Sequence, residues 1–179
     1  MREIEVKARV DNFEPIIKKL ESLGCSLSQP IIQDDQVFLQ AGIGFGDLTA
    51  GINVLRIRRQ EQKNIFTLKI RGTRELDSVE RETEISDPDK LEEILKYLGY
   101  REVMRLRKSR RKCQHGELEI CLDEVEGLGK FIEAEKMVED GDGGEIQNEL
   151  FNFLVTLGAE KDSRVSSGYD ILMYKKNEN

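Results

Sequence analysis

The sequence contains no tryptophan, only one histidine, and three cysteines without CxxC spacing. A Ser–His–Asp or Cys–His mechanism would have to use His115, which adjoins Gly116 in a predicted turn. The cysteines, Cys25, Cys113 and Cys121, do not form the spacing of a disulfide framework or a zinc knuckle. If the chain is catalytic, the chemistry must therefore come from carboxylates, cations and metal.

Long apolar segments are also missing. Residues 1–5 lack the apolar stretch of a signal peptide, and no apolar run in the sequence is long enough to span a membrane. We therefore expect a soluble, cytoplasmic protein without a membrane partner. The formal net charge of −7 argues against a nucleic-acid partner, because nucleic-acid binding needs a basic surface. This charge is still compatible with a local cationic pocket.

The length of 179 residues suits one domain over 1–179, or two intimately joined pseudo-symmetric halves. Three amphipathic helices are predicted, over 11–24, 87–99 and about 144–158. The first has Asp11 and Glu14 at capping-box spacing, and each ends with Leu-Gly. The repeated ending indicates either an internal duplication or a common helix stop, and both interpretations remain open.

Segments with alternating apolar and polar residues lie between the helices and predict strands. Many strands with few helices indicate an α+β fold built on a large antiparallel sheet. A glycine-rich stretch over 40–53 predicts a connecting loop, with a mobile lid as the alternative. The predicted strands are 2–10, 33–40, 52–60, 64–72, 79–86, 100–113, 117–123, 130–138 and a short one near 164–168.

Charged residues occupy one face of nearly every predicted strand. In the first strand Glu3, Glu5 and Lys7 share a face, because residues i and i+2 of a strand point the same way. For a single strand, a solvated outer face is the simpler explanation. The pattern recurs in Arg56 and Arg58, in Thr67, Lys69 and Arg71, in Glu80, Glu82 and Glu84, in Glu117, Glu119 and Asp123, and in Glu133 and Glu135.

This recurrence favours a closed barrel with a charged interior. The three helices need an apolar sheet face to cover, and a curled sheet would then place the charged face inside. A dry interior lined by acids and bases would be costly, whereas water, metal and an anionic ligand would stabilise it. Carboxylates hold Mg²⁺, and arginine and lysine bind phosphate oxygens. A triphosphate with a metal ion uses both sets.

These residues resemble the motifs of the CYTH domain family, also called triphosphate tunnel metalloenzymes. The stretch Glu3-Ile4-Glu5-Val6-Lys7 is similar to the ExExK signature that opens these domains. The resemblance continues, in order, over 33–38, over 55–58 (LRIR), over 67–69 (TLK), over 81–84, over 108–110 (KxR), over 122–135 (LDEVEGLGKFIEAE) and over 167–172. It covers nearly the whole chain.

The resemblance implies a closed eight-stranded antiparallel β-barrel, a tunnel, with helices packed outside. It also implies Mg²⁺ or Mn²⁺ and a substrate that carries a triphosphate. The implied phosphate-binding residues are Lys7, Arg56, Arg58, Lys69, Lys108 and Arg110. The implied metal ligands are Glu3, Glu5, Glu133 and Glu135, with Glu82 and Glu84 as further candidates. Lys7, Asp123 and Arg110 are the implied catalytic residues, with Asp123 either completing the metal shell or orienting the substrate.

Members of the family include class IV adenylate cyclases, thiamine triphosphatases and inorganic triphosphatases. The LDEVEGLG stretch most resembles the cyclase-type members, so conversion of ATP to cyclic AMP and pyrophosphate is the leading expectation. The alternatives are a triphosphatase that hydrolyses thiamine triphosphate, inorganic triphosphate or a nucleoside triphosphate, and a non-catalytic nucleotide or polyphosphate sensor. A homodimer is compatible with the family. Two departures, Cys113 after the KxR element and the long loop over 40–53, are expected to affect the part of the site that holds the organic group.

Overall fold

The computed structural model describes residues 1–61 and 63–178. The strands are β1 (Arg2–Val10), β2 (Ile31–Gln40), β3 (Asn53–Gln60), β4 (Lys63–Arg71), β5 (Asp77–Ile85), β6 (Tyr100–His115), β7 (Leu118–Val125), β8 (Gly129–Val138) and β9 (Arg164–Val165). The helices are α1 (Glu14–Ser22), α2 (Pro88–Tyr97), α3 (Gly143–Leu157) and α4 (Tyr169–Glu178). Every predicted strand and helix is present, with ends shifted by a few residues.

Eight of the strands form a closed antiparallel barrel. They hydrogen-bond in the order β5-β4-β3-β2-β6-β7-β8-β1, and β5 pairs back to β1. This closing contact is short, since it joins Glu3 to Ser78 and Ile4 to Asp77. The two-residue β9 pairs with β1 at Lys7 and Ala8. The barrel expected from the sequence is therefore confirmed, and closure leaves few free edges.

The apolar strand faces point outward and lie beneath the helices. The largest cluster joins β1, β7 and β8 to α1 and α3 and comprises, among others, Ile4, Val6, Ile120, Ile132, Leu20, Leu150 and Leu154. A second cluster packs Leu95 of α2 against Phe38, Leu55 and Ile57. Full burial of one such side chain is worth about 1.5–3 kcal/mol. Because the helices cover the apolar faces, the charged faces line the barrel interior.

The helix ends show which capping signals were reliable. Gly24, Gly99 and Gly158 have φ of 79°, 86° and 117°, the left-handed conformation that ends a helix. Asp87 caps α2 by accepting a hydrogen bond from the Lys90 amide at 2.9 Å. The capping box predicted at Asp11 was wrong.

At the start of α1 the cap residue is Phe13, which makes no side-chain cap. Asn12 Oδ1 instead accepts a hydrogen bond from the Glu14 amide at 3.0 Å. The local turn is therefore closed by an asparagine side chain, and the helix begins three residues later than predicted.

The helix α4 was not predicted, because its residues show little amphipathic periodicity. Its first residue, Tyr169, joins Leu106, Val125, Leu128 and Phe131 in an apolar cluster at one end of the barrel. The glycine-rich loop packs against the same helix, with the rings of Phe45 and Tyr174 5.2 Å apart. No helix within the described residues is long and apolar enough to cross a membrane.

Candidate active site in the barrel interior

The strand faces that point inward enclose a cavity of about 660 Å³. All eight barrel strands contribute to its wall, and so do Gly168 and the first residues of α4. The volume lies within the usual range of ligand pockets, about 300–1,000 Å³. The glycine-rich loop does not contribute to this wall within the part of the chain that is described. The lid interpretation of that loop therefore has no support in the structure.

Lys7 lies at the centre of a buried ionic network on β1 and β8. Its Nζ is 2.5 Å from Glu133 Oε1 and 2.6 Å from Glu5 Oε1. Burial alone would lower the pKa of Lys7, but the two carboxylates outweigh it and raise that pKa. Burial would likewise raise the pKa of Glu133, yet Lys7 and Arg110 hold it well below its ordinary value. Both groups are therefore charged.

Arg110 and Lys108 converge on Asp123, which is fully buried. Arg110 donates two hydrogen bonds to the Asp123 carboxylate, from Nε at 2.7 Å and Nη2 at 2.6 Å, and also contacts Glu133. Lys108 Nζ lies 3.2 Å from Asp123 Oδ2. Burial opposes ionisation of Asp123, but the two cations still lower its pKa. The lowered pKa disfavours protonation of Asp123, and its carboxylate contacts both Lys108 and Arg110.

Two arginines of β3 extend the cationic wall. Arg58 holds Asp35 with paired hydrogen bonds of 2.7 and 2.8 Å, an arrangement that fixes the guanidinium plane. Arg56 donates to Thr67 at 3.1 Å and to Glu82 at 3.0 Å. Its buried Nε has no hydrogen-bond partner among the described residues. That N–H is therefore available to an anion in the cavity.

Lys108 shows an excess of positive charge in this part of the wall. Burial and the charges of Arg110 and Arg58 lower its pKa, and Asp123 only partly compensates. On β4, Lys69 pairs with Glu80 at 2.7 Å, and the pKa of Glu80 falls to about 2 because Lys69 and Arg56 outweigh the cost of its burial. Lys69 is thus neutralised by Glu80, whereas Lys108 is repelled by Arg110 and Arg58. An anion bound near Lys108 would relieve that repulsion.

A crowded set of carboxylates lies on β1 and β8. Burial and the neighbouring Glu80 raise the pKa of Glu3 to about 7. The pKa of Glu5 is raised by burial and by Glu133, and that of Glu135 is raised well above its ordinary value by burial, with further contributions from Glu133 and Glu3. Protein cations do not neutralise this set fully. A bound metal ion would stabilise its ionised form.

Glu135 also belongs to a group of three metal-ligating side chains. Ligand atoms of Glu119, Cys121 and Glu135 all lie within 4.8 Å of one another. Glu119 is held by Lys112 at 2.9 Å, and Cys121 is fully buried. Glu119 was placed on the charged face from the sequence, but Cys121, which shares that face, was overlooked because it reads as a small apolar residue.

Tyr169 brings an aromatic ring to the cation cluster. The Lys7 ammonium lies 3.8 Å from the ring centre and the Lys108 ammonium lies 5.0 Å from it. Such contacts stabilise buried cations by about 0.5–2 kcal/mol. Sequence reasoning missed this residue, although it falls within the motif over 167–172.

The structure brings nearly all of the predicted site residues together. All six implied phosphate-binding residues line the cavity, as do Glu3, Glu5, Glu133 and Glu135; Asp123 contacts the cation cluster from a fully buried position. Glu82 lies at the mouth, paired with Arg56, with its side chain 46% exposed. Glu84 is not brought to the cavity: it lies beyond the mouth, 70% exposed, and pairs with Lys63 at 3.2 Å. Alternation alone assigned it to the right face but could not show that the strand extends past the site.

Other residues near the site were not selected from the sequence. Asp35 and Glu80 line the cavity, and the alternation of β2 and β5 contained the signal for both. Cys113 corrects a further expectation, because it packs in the apolar cluster under α1 and α3 and not in the cavity. His115 also lies outside, stacked on Phe153 with ring centres 5.3 Å apart. Neither residue shapes the tunnel.

The sequence model of the CYTH domain matches residues 1–169. The chain belongs to the CYTH domain family. A Methanocaldococcus jannaschii protein, MJ0240, provisionally named an adenylate cyclase, is 30% identical over 177 residues, which cover 94% of this chain and 97% of the relative.

Solved structures with the CYTH fold superpose well. PH1819 of Pyrococcus horikoshii shares 30% identity and a TM-score of 0.79, over 97% of this chain and 99% of the other. HpAC1 of Hippeastrum, provisionally named an adenylyl cyclase and described as having a dominant triphosphatase activity, shares 21% identity. Its TM-score is 0.63, over 100% of this chain and 97% of the other, and this likeness concerns the fold.

Proposed function

We propose that this chain is a metal-dependent enzyme that converts ATP to cyclic AMP and pyrophosphate inside the barrel. One observation carries the proposal: the cavity has a carboxylate wall and a cation wall. The carboxylates of Glu3, Glu5 and Glu135, with raised pKa values, lie on adjacent strands. The cations of β3 and β6 flank β2. A metal–triphosphate complex neutralises both walls at once.

The carboxylate wall fits Mg²⁺ or Mn²⁺ by the chemistry of its donors. Both ions prefer oxygen ligands, and Glu3, Glu5 and Glu135 present carboxylates that lack full compensation by protein cations. When bound, the ion supplies Lewis-acid stabilisation of charge on the phosphate oxygens. Glu133 is already saturated by Lys7 and Arg110, so its role is to hold those cations in place.

The cation wall holds the phosphates. Arg56 offers its unpaired Nε–H, and Lys108 supplies the charge that Asp123 does not balance. Arg58 and Arg110 are each fixed by a paired carboxylate, so their remaining N–H groups are oriented before the substrate arrives. Such preorganised donors stabilise charge that develops in the transition state.

In the cyclase reaction, the 3′-oxygen of ATP forms a bond to the α-phosphorus, and the bond from that phosphorus to the bridging oxygen breaks. Pyrophosphate leaves with the electron pair, and the 3′-hydroxyl proton passes to solvent. Lys7, Arg56, Arg58, Lys69, Lys108 and Arg110 balance the charge that shifts onto the leaving group. The provisional name of the M. jannaschii relative supports this reaction.

A triphosphatase is the second candidate, because the same walls would position a water molecule at the γ-phosphorus. The activity described for HpAC1 supports this alternative within the same fold. A sensor without turnover is the third candidate. The uncompensated carboxylates argue against it, since an anion receptor needs only the cation wall.

Product analysis separates the three candidates. The protein is incubated with Mg²⁺ or Mn²⁺ and with ATP, thiamine triphosphate or inorganic triphosphate, and cyclic AMP, pyrophosphate and phosphate are quantified. Cyclic AMP with equimolar pyrophosphate is the predicted result. Phosphate without cyclic AMP would replace the cyclase by the triphosphatase, and tight binding without any product would leave the sensor.

A further inference from the structure

The two ends of the cavity differ in how they are covered. At one end, the start of α4 and the segment over 74–76 line the wall, and Ser167 Oγ donates to Glu75 Oε2 at 2.9 Å to tie them together. The other end is lined by Gln60, the last residue of β3, and Lys63, the first residue of β4. Its rim carries exposed side chains, including Lys63 and Lys112, each 50% exposed. Among the described residues no helix lines the cavity at this end, which we call the open mouth.

Gln33 lies just inside the open mouth, on the inward face of β2. Its Nε2 donates to Gln60 Oε1 at 2.8 Å, and the residue is only 6% exposed. Its buried Oε1 accepts no hydrogen bond from any residue that the structure describes. A buried acceptor without a partner costs free energy, and a hydrogen-bond donor on a ligand in the cavity would satisfy this oxygen.

Neither phosphate nor metal supplies that donor. Phosphate oxygens accept hydrogen bonds at neutral pH and cannot pair with an amide oxygen. A metal ion is disfavoured because Lys108 lies opposite Gln33 in the strand register, and Arg58 projects from the adjacent β3. An N–H or O–H group on the organic part of the substrate can supply that donor.

The walls beside Gln33 suit a flat heteroaromatic ring. Ile31 and Ile65 line the cavity at the same mouth, where they offer apolar contact to the faces of such a ring. Asparagine and glutamine amides pair with adenine in DNA, where the 6-amino group of the base donates to the amide oxygen, and Gln33 offers the same acceptor.

We propose that Gln33, held by Gln60, recognises the 6-amino group of adenine and is the residue that makes this tunnel select an adenine nucleotide over inorganic triphosphate. The proposal rests on the proposed function, because it assumes that the triphosphate lies along the cation wall. It adds the residue that recognises the base and the end of the tunnel that receives it.

Calorimetry with non-cleavable, methylene-bridged ligands in Mg²⁺ tests the proposal. The ligands are the analogues of ATP, of purine riboside triphosphate, which lacks the 6-amino group, and of inorganic triphosphate. The wild-type protein should bind the adenine ligand about tenfold more tightly than the purine ligand, because one buried hydrogen bond contributes a free energy of about that size. The Gln33→Leu variant should lose this preference and retain its affinity for the triphosphate analogue.

Gln36→Leu is the matched control, because Gln36 lies on the same strand but donates outward to Glu92 and Glu102. It should leave the preference for adenine unchanged. The proposal would be overturned if the wild-type protein bound the adenine and purine ligands equally, or bound neither. This outcome does not depend on whether the variants fold. Cyclic AMP formation without a preference for adenine would contradict the role of Gln33 but not the proposed function. A preference for adenine without turnover would contradict the proposed function but not the role of Gln33.

Discussion

Lys7 and Glu133 face each other directly across β1 and β8, with 2.5 Å between Lys7 Nζ and Glu133 Oε1. Both side chains are nearly inaccessible to solvent, at 3% and 2% exposure. The carboxylates of Glu133 and Glu5 raise the pKa of Lys7, which favours its protonated form. Lys7 therefore places a positive charge within the carboxylate wall on β1 and β8.

Removal of one member of this pair should destabilise the barrel. Lys7→Met leaves Glu133 and Glu5 buried without their shared cation, and loss of one partner of a buried pair costs about 3–5 kcal/mol. The double variant Lys7→Met/Glu133→Gln should regain much of that stability, but not activity, because the cation remains absent. Urea denaturation measures the first effect and product formation the second. Recovery of activity in the double variant would contradict the role given to Lys7.

The pair of Asp35 and Arg58 should make stability depend on pH. Asp35→Asn leaves a buried arginine uncompensated and should cost about 3 kcal/mol at pH 7. Folding lowers the pKa of Asp35. Its contribution is therefore complete above the ordinary value of about 3.9 and is lost as the pH falls through the lower folded value.

The cost of Asp35→Asn should accordingly shrink as the pH falls below about 4. Urea denaturation at pH 7 and at pH 3 measures the difference between the two proteins. A cost that grows towards acid pH would contradict the assignment, because the sign follows directly from the lowered pKa.

Much of the fold was available in the sequence, because period-two alternation is strong in almost every strand. Glu3, Glu5 and Lys7 identified one face of β1, and the repetition of this pattern indicated that the face lies inside a barrel. Glu84 shows the limit of that reasoning. It shares the inward face of β5 with Glu80, yet it lies beyond the mouth because the alternation does not report how far each strand extends past the cavity.

The partners of the site residues were less accessible from the sequence. Tyr169 reaches the lysines from α4, a helix without clear periodicity, so only the folded chain reveals the contact. Gln33 reads as one polar residue among several in β2, and its significance comes from an unpaired oxygen that depends on packing. Cys113 was misplaced because it was judged by its position after the motif, although alternation puts it on the face of β6 opposite Lys108 and Arg110.

The carboxylate wall should control metal affinity. Glu5→Gln removes a charge from the crowded set on β1 and β8, and we expect metal affinity to fall by about 10–100-fold or more, since even indirect contacts to a metal have effects of that size. Titration with Mn²⁺ followed by electron paramagnetic resonance measures the affinity. Glu117→Gln is the control, because Glu117 is 81% exposed and pairs with Lys136 outside the cavity. Equal losses in both variants would contradict a site within the barrel.

Tyr169 should support phosphate binding through the two lysines beside its ring. Tyr169→Leu removes both cation contacts, and we expect KM for ATP to rise by about tenfold, in line with the strength of a desolvated cation–aromatic contact. Tyr174→Leu changes another tyrosine of α4, one that contacts Phe45 and Glu178. Steady-state kinetics of both variants separate the two explanations. An effect through the lysines raises KM only in Tyr169→Leu, whereas a general effect on the helix raises KM in both variants.

The most direct test of the two-walled cavity is a crystal structure with Mn²⁺ and a non-cleavable ATP analogue, with the anomalous signal of manganese recorded. The account predicts manganese bonded to carboxylates of Glu3, Glu5 or Glu135, and phosphate oxygens within hydrogen-bonding distance of Arg56, Arg58 and Lys108. A triphosphate bound outside the barrel, or manganese held away from all three carboxylates, would contradict it.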